Sequence, residues 1–361
     1  MVIEAIDVPG AHGHSRPAVI AGPCSAESEE QVMFVAMALR EAGVGVLRAG
    51  AWKPRTKPGG FEGYGEAALP WIVRAARSCG MLSATEVATA AHVHAAIEAG
   101  IDMLWLGART TANPFAVQEI ADTLKACGRN VPVLVKNPVS PDLELWLGAI
   151  ERLSAAGMTR LAAVHRGFGA YGENYYRNAP LWRVPIELHR RVPELPLLCD
   201  PSHIAGRREI VGEVAQEAMD MGFDGLMVEV HCCPEAALSD ARQQLTPQAF
   251  ADMLRSLTLR SGAEAAPGMD ALREEIDRID DRLLALLAER MRVSDSIGRC
   301  KQAAGIPVVQ PARYRELIDR RCAQAAEQGL NPEFVRAVLA AVHEESVARQ
   351  LAIVNRRGET E

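Results

Sequence analysis

Seven short apolar runs each close on a charged or metal-capable residue, and this pattern constrains the fold more than any other feature of the chain. They are Val44–Arg48, Met81–Glu86, Met103–Arg109, Val131–Lys136, Leu161–Arg166, Leu197–Asp200 and Leu226–His231; an eighth run precedes them and closes on Ala21-Gly22-Pro23-Cys24. Runs this short and apolar are strands buried on both faces, the mark of a parallel sheet. Helical patterns fill most gaps, as in Glu29–Ala42, Pro114–Ala126, Leu143–Ala156 and Arg207–Met221. Six gaps stop at a glycine directly before a strand: Gly43, Gly80, Gly100, Gly128, Gly157 and Gly222. Glycine takes the left-handed conformation after a helix without a Cβ clash. The repeated beat predicts the α/β class and a (β/α)8 TIM barrel, in which chemistry sits at the C-terminal strand ends. The rival is an open doubly wound sheet. It is weakened by the lack of a Gly-x-Gly-x-x-Gly after the first strand.

The pattern changes at Ser261–Gly268, a short run of small residues with Gly and Pro that reads as a linker. Beyond it no strand is predicted. Asp270–Ala303 is one long helical pattern, Ala312–Gln328 a second, and Asn331-Pro332 opens a third, as N-cap and N1 proline, that runs to about Val354. The predicted domains are therefore 1–260, a barrel; 261–268, a linker; and 269–361, an all-α three-helix domain.

The formal net charge is −7 and basic residues fall in scattered pairs, which argues against a nucleic-acid groove. No stretch is apolar enough to span a membrane, and the N-terminus lacks the apolar core of a secretory signal. The 8 cysteines include no Cys-x-x-Cys pair, so reduced thiols in a cytoplasmic protein are expected.

Two residue sets gather at the predicted strand ends. Cys24, His203, Glu229 and Asp240 are the metal set: a thiolate, an imidazole and two carboxylates suit Mn2+, Fe2+, Co2+ or Zn2+ without selecting one. Any one of them alone is more often a buried thiol or a loop side chain; four at one barrel mouth favour a site. His231 is a weaker candidate, read as structural. Arg48, Lys53, Arg109, Lys136 and Arg166 are the cationic set. Buried strand ends are poor places for unpaired cations, so an anion is expected, and guanidinium forks suit phosphate and carboxylate. Lys53-Pro54-Arg55-Thr56 offers a second phosphate cradle.

The motifs that carry these residues are Ala21-Gly22-Pro23-Cys24-Ser25, Leu47-Arg48-Ala49-Gly50-Ala51-Trp52-Lys53-Pro54-Arg55-Thr56, Gly107-Ala108-Arg109, Val135-Lys136, His165-Arg166-Gly167, Asp200-Pro201-Ser202-His203 and Val228-Glu229-Val230-His231. They resemble the 3-deoxy-D-arabino-heptulosonate 7-phosphate (DAHP) synthases, short bacterial subtype, over nearly the whole barrel. The resemblance implies condensation of phosphoenolpyruvate with erythrose 4-phosphate, the first step of the shikimate pathway. It also implies one divalent ion, with Mn2+ first, on Cys24, His203, Glu229 and Asp240. Phosphoenolpyruvate would lie on Arg48, Lys53, Arg109, Lys136 and Arg166, and the sugar phosphate on Arg55, Thr56 and Ser202. Glu86 and Lys53 are expected to act in catalysis, Glu86 on the charge at carbon 2 or its water and Lys53 as proton donor. The related octulosonate 8-phosphate synthases share the metal set but resemble the chain less at Lys53-Pro54-Arg55-Thr56.

In the helical domain Arg290 and Lys301 stand three turns apart on one face, about 16 Å between Cα atoms, and could close on a small dianion. Arg273 lies about 25 Å before Arg290 along the helix, so it would serve such a ligand only from a second protomer. Ser346 and Gln350 are an i, i+4 pair. Spacing alone favours a solvated dimerisation helix. Asp270-Ala271-Leu272-Arg273, Leu286-Leu287-Ala288-Glu289-Arg290, Lys301, Arg313 and Glu345-Ser346-Val347-Ala348-Arg349-Gln350 overturn that, because they resemble the all-helical chorismate mutases. That family implies an intertwined homodimer and rearrangement of chorismate to prephenate. Lys301 and Gln350 would flank the ether oxygen, and Arg273 of a second copy, Arg290, Arg313 and Ser346 would hold the rest. Gln310 and Tyr314 depart from the family, where acidic residues commonly stand. A helical domain that only senses its ligand, and a catalytically dead barrel, are the alternatives. The fusion suggests feedback by prephenate through the helical domain.

Overall fold

The computed structural model of the chain describes residues 1–4, 6, 17–54, 59–172, 175–260 and 268–355. Eight parallel strands close into a barrel: β1 (Ala18–Gly22), β2 (Val46–Arg48), β3 (Leu82–Val87), β4 (Met103–Leu106), β5 (Val133–Lys136), β6 (Leu161–His165), β9 (Leu197–Cys199) and β10 (Gly225–Glu229). A small antiparallel hairpin, β7 (Phe168–Gly169) and β8 (Asn178–Ala179), is inserted between β6 and β9. The barrel closes where β1 pairs with β10 from Ala18↔Gly225 to Gly22↔Glu229.

Side chains alternate across a strand, so residues two apart share a face. One apolar cluster draws Ile20, Val46, Ala84, Met103, Leu134, Val164, Leu198 and Met227 from all eight strands, so it fills the interior. Two positions after seven of these stand Arg48, Glu86, Trp105, Lys136, Arg166, Asp200 and Glu229. The same alternation that fills the barrel therefore raises its polar residues at the C-terminal rim. The larger apolar cluster lies between strands and surrounding helices, where Trp146 is fully buried and its indole N–H donates to the Val135 carbonyl at 3.0 Å.

The helix ends follow from local chemistry. Asn113 accepts from the Phe115 and Ala116 amides ahead of Pro114, and Gly128 closes that helix at φ 64°. All six predicted stop glycines have positive φ, from 64° to 97°. Two local differences stand out. β4 ends at Leu106, and Arg109 rides on a single helical turn, Ala108–Thr111. The hairpin was not foreseen, because two-residue strands carry no periodicity.

The chain divides into two compact units, Met1–Ser261 and Gly262–Glu361. Residues 261–267 lie outside the described residues. The second unit consists of helices Met269–Ala304, Pro311–Glu327 and Pro332–Val354. The first and third are tied by Arg349, which forks onto Asp295 at 2.8 and 2.6 Å. Met291, Ile318, Cys322 and Ala325 are the unit's buried apolar side chains among the described residues. The first helix differs in its N-terminal half: every residue from 269 to 286 is exposed, including Leu272, Ile276, Ile279, Leu283 and Leu286. None of the described helices is long and apolar enough to cross a membrane.

Gly22 shows how tightly the rim is built. Its φ is 151°, and an added Cβ would lie 2.0 Å from the Arg48 carbonyl oxygen. Gly22→Ala is expected to destabilise the barrel by about 2–4 kcal/mol through overpacking and backbone strain, read from the urea midpoint.

Candidate active sites

Three of the four predicted metal ligands meet at the barrel mouth. Donor atoms of Cys24, Glu229 and Asp240 lie within 4.8 Å of one another. The fourth, His203, places Nε2 3.8 Å from Glu229 Oε1. The loop after β1 carries Cys24, the short helix Pro201–Ala205 carries His203, Glu229 ends β10, and Asp240 follows in the next loop. Asp200 caps that helix, accepting the His203 amide at 3.1 Å, and its carboxylate stands 2.8 Å from His203 Nδ1. That contact turns Nε2 toward the other donors, as metal-binding histidines require. Burial pushes the His203 pKa below its usual value. Burial, with the Glu229 and Asp240 carboxylates, raises the Cys24 thiol well above its usual range. The Lys53 ammonium approaches the Cys24 sulfur at 2.9 Å, so a cation is already drawn to this donor set. Mixed thiol, imidazole and carboxylate donors fit a divalent transition metal.

The cationic set surrounds the same mouth, but two of its members are paired to carboxylates. Arg48 Nη2 donates to Glu229 Oε1 at 3.2 Å, and Lys136 Nζ meets Asp200 Oδ2 at 2.6 Å. Arg48 is nonetheless fully buried with Nε and Nη1 lacking partners. Arg166 donates to Asn178 Oδ1 at 2.7 Å, and burial lowers its pKa to about 10, still cationic at neutral pH. Lys53, Glu86, Arg109, Lys136, Arg166, His203 and Asp240 line one cavity of about 150 Å³. Glu86 Oε2 accepts from the Trp105 indole at 3.0 Å, and an added Cβ at Gly107 would lie 2.2 Å from its other oxygen. Arg55 and Thr56 lie outside the described residues.

Ser202 is fully buried, and its hydroxyl accepts the Glu229 amide at 3.0 Å, so it steadies the backbone of a candidate metal ligand. His231 is held by Glu27 at 3.4 Å and by the Cys233 amide, away from the metal set, in keeping with a structural role. Trp105, Arg177, Asn178 and Gln243 were missed. Trp105 stacks under Arg48 at 4.8 Å and Lys136 at 5.9 Å, and its parity with Met103 could have revealed it. Arg177 holds Asp240 at 3.1 Å and Gln243 at 2.5 Å, and Gln243 passes a 2.6 Å bond to Glu229 Oε2. No sequence spacing marks those three.

In the helical unit the first and third helices bring four predicted residues together. Arg290 donates to Ser346 at 2.7 Å and Lys301 to Gln350 Oε1 at 3.0 Å. Gln350 in turn donates to Ser294 at 2.9 Å, a residue the sequence did not single out. Tyr314 stacks on His343, ring centroids 4.2 Å apart, and burial together with Arg290 and Lys301 lowers the His343 pKa. Gln310 is exposed. Arg313 and Arg273 stay outside the group, paired with Glu316 at 2.8 Å and Asp270 at 3.1 Å.

Comparisons with known proteins agree with both units. The DAHP synthetase I family pattern matches residues 3–260, and the chorismate mutase type II pattern matches residues 272–351. A phospho-2-dehydro-3-deoxyheptonate aldolase of Thermotoga maritima is 36% identical over 256 residues, covering 71% of this chain and 72% of that protein. A crystal structure of the Thermotoga maritima enzyme aligns at TM-score 0.59 and 34% identity, over 66% of this chain and 67% of that one. A T-protein of Enterobacter agglomerans is 35% identical over 78 residues, 22% of this chain and 21% of that protein. The geometry at the barrel mouth and these matches together place the chain in the DAHP synthetase I family, as an enzyme that carries a chorismate mutase type II domain behind its barrel.

Proposed function

We propose that the barrel joins phosphoenolpyruvate to erythrose 4-phosphate and water, releasing phosphate and the seven-carbon keto acid phosphate, in a cytoplasmic setting. The observation that carries this is Arg48: a fully buried guanidinium with two N–H-bearing nitrogens unpartnered, set beside a three-donor metal cluster. Arg48, Lys136, Arg166 and Arg109 hold the carboxylate and phosphate of phosphoenolpyruvate, as bidentate forks and point charges suit. Cys24, His203, Glu229 and Asp240 would hold a divalent ion, Mn2+ first, which would supply Lewis acidity toward the sugar aldehyde. Carbon 3 of phosphoenolpyruvate then bonds to the aldehyde carbon. Lys53, kept protonated against burial by the Glu229, Glu86 and Asp240 carboxylates, gives its proton to the nascent hydroxyl. Glu86, pinned by Trp105, faces the positive charge at carbon 2 and orients the water that adds there. Arg55 and Thr56 hold the phosphate of the sugar. Alignment of two anions against one another supplies much of the rate gain.

The helical unit converts chorismate to prephenate, a rearrangement without a nucleophile. Lys301 and Gln350 address the ether oxygen, Arg290 with Ser346 holds a carboxylate, and Arg313 and the partner's Arg273 complete the site. The exposed seam of Leu272, Ile276, Ile279, Leu283 and Leu286, at 4,3,4,3 spacing, supports a homodimer through the first helix. Prephenate at this site inhibits the barrel.

EDTA should abolish consumption of phosphoenolpyruvate with erythrose 4-phosphate while leaving chorismate rearrangement within about twofold, and Mn2+ should restore the first activity. Consumption that survives chelation, or that requires arabinose 5-phosphate in place of erythrose 4-phosphate, would sink the barrel reading. Leu283→Arg should convert the dimer to monomer by sedimentation and lower chorismate turnover at least about a hundredfold, since the monomer lacks the partner's Arg273. Deleting residues after Ser261 should remove inhibition by prephenate; a truncated barrel that stays equally inhibited would refute the feedback.

A further inference from the structure

One buried amide bridges an anion-site arginine and the metal-site histidine, beside the Arg48–Glu229 and Lys136–Asp200 pairs. Asn178, in β8 of the inserted hairpin, is 7% exposed. Its Oδ1 accepts from Arg166 Nη1 at 2.7 Å, and its Nδ2 donates to the carbonyl of His203 at 2.6 Å. A guanidinium only donates and a carbonyl only accepts, so the partners fix which way the amide faces. A carboxamide serves both at once, because it carries a donor and an acceptor on one planar group.

Little slack remains at either end. The backbone of Arg166 is held by Asn137, whose Oδ1 accepts the Arg166 amide at 2.7 Å and whose Nδ2 donates to the Gly167 carbonyl at 2.8 Å. Gly167 turns at φ 75° directly against Asn178, and an added Cβ there would lie 2.8 Å from the Asn178 Cβ. At the other end, His203 is fixed through Asp200, which caps its amide and stands beside its Nδ1. A shift of the Arg166 guanidinium toward an anion is therefore transmitted through Asn178 to the segment that aims His203 Nε2.

We propose that Asn178 is a positioning residue that couples the anion on Arg166 to the metal ion on His203, so that each ligand tightens binding of the other. This rests on the reading in which Arg166 holds phosphoenolpyruvate and His203 the ion. Binding energies are reciprocal, so the factor by which phosphoenolpyruvate tightens Mn2+ must equal the factor by which Mn2+ tightens phosphoenolpyruvate.

The test is calorimetric titration of the full-length protein, stripped by EDTA, with Mn2+ and phosphoenolpyruvate separately and then each in the presence of the other, without the sugar. In the native chain each ligand should tighten the other about tenfold. Asn178→Asp keeps the shape and the acceptor toward Arg166 but turns an oxygen on the His203 carbonyl. It should reduce the coupling to below about twofold while still taking up a full equivalent of Mn2+. Asn178→Ala, which removes both bonds, should lose the coupling equally, and guards against an Asp variant that fails to fold. Coupling that survives in a folded variant, or is missing from the native chain, overturns the proposal; a merely structural Asn178 would weaken both ligands and leave the factor intact. Arg166→Ala separates the two readings: it should weaken phosphoenolpyruvate at least about thirtyfold and leave Mn2+ alone unchanged. If phosphoenolpyruvate still binds at native strength, the assignment of Arg166 falls and the proposal with it.

Discussion

Arg48 and Glu229 meet at 3.2 Å with essentially no exposure to water, although 181 residues separate them in the chain. Neither charge could be buried there alone, since an isolated ion in a low-dielectric interior is strongly disfavoured. Around this pair the site assembles in layers. Glu229 is held by Ser202 through its amide and by Gln243 through its carboxylate, and Arg48 lies over the face of Trp105. A second buried pair, Lys136 with Asp200, supports His203 in turn. Asp200 keeps its charge against burial because His203 and Lys136 hold its carboxyl well below the usual range. The polar groups of the rim thus form one continuous network, which explains how so many charges share a small volume above an apolar interior.

The sequence made the barrel legible because its signal is local. Each strand announces itself as an apolar run, and alternation fixes which end residue points inward. Glu86, Lys136 and Glu229 follow from that rule alone. Residues that act by contact across loops were not legible. Asn178 and Gln243 are ordinary amides in irregular segments, and their meaning arises only when the fold brings Arg166, His203 and Glu229 to them. Where the strand-end cations find anions is tertiary information for the same reason: Lys136 is matched by Asp200 from another strand, whereas Arg48 keeps two nitrogens without hydrogen-bond partners beyond its pair. Ser202 sits in a conspicuous motif, yet its hydroxyl serves a backbone amide, a role that spacing does not distinguish from binding a ligand.

In the helical unit, helix limits were legible to within a residue or two because caps mark them: Asn331 before Pro332, Gly305 after Ala304. The stripe of Arg290, Ser294 and Lys301 against Ser346 and Gln350 follows from helical periodicity once the first and third helices pair. Which helices pair is tertiary information, and so is the stacking of Tyr314 on His343.

The bare first half of the long helix has a consequence for how the two activities are tied. Most helical stability in proteins comes from packing an apolar face, and here residues 269–286 are exposed, with no cover among the described residues. If a second copy supplies that cover, order in this half arrives only with association, and the population of complete helical sites follows mass action in the protein itself. The candidate metal donors at the barrel mouth all come from one chain. Dilution would then silence the later reaction first, so the abundance of the polypeptide, apart from any small molecule, would set the ratio between the two.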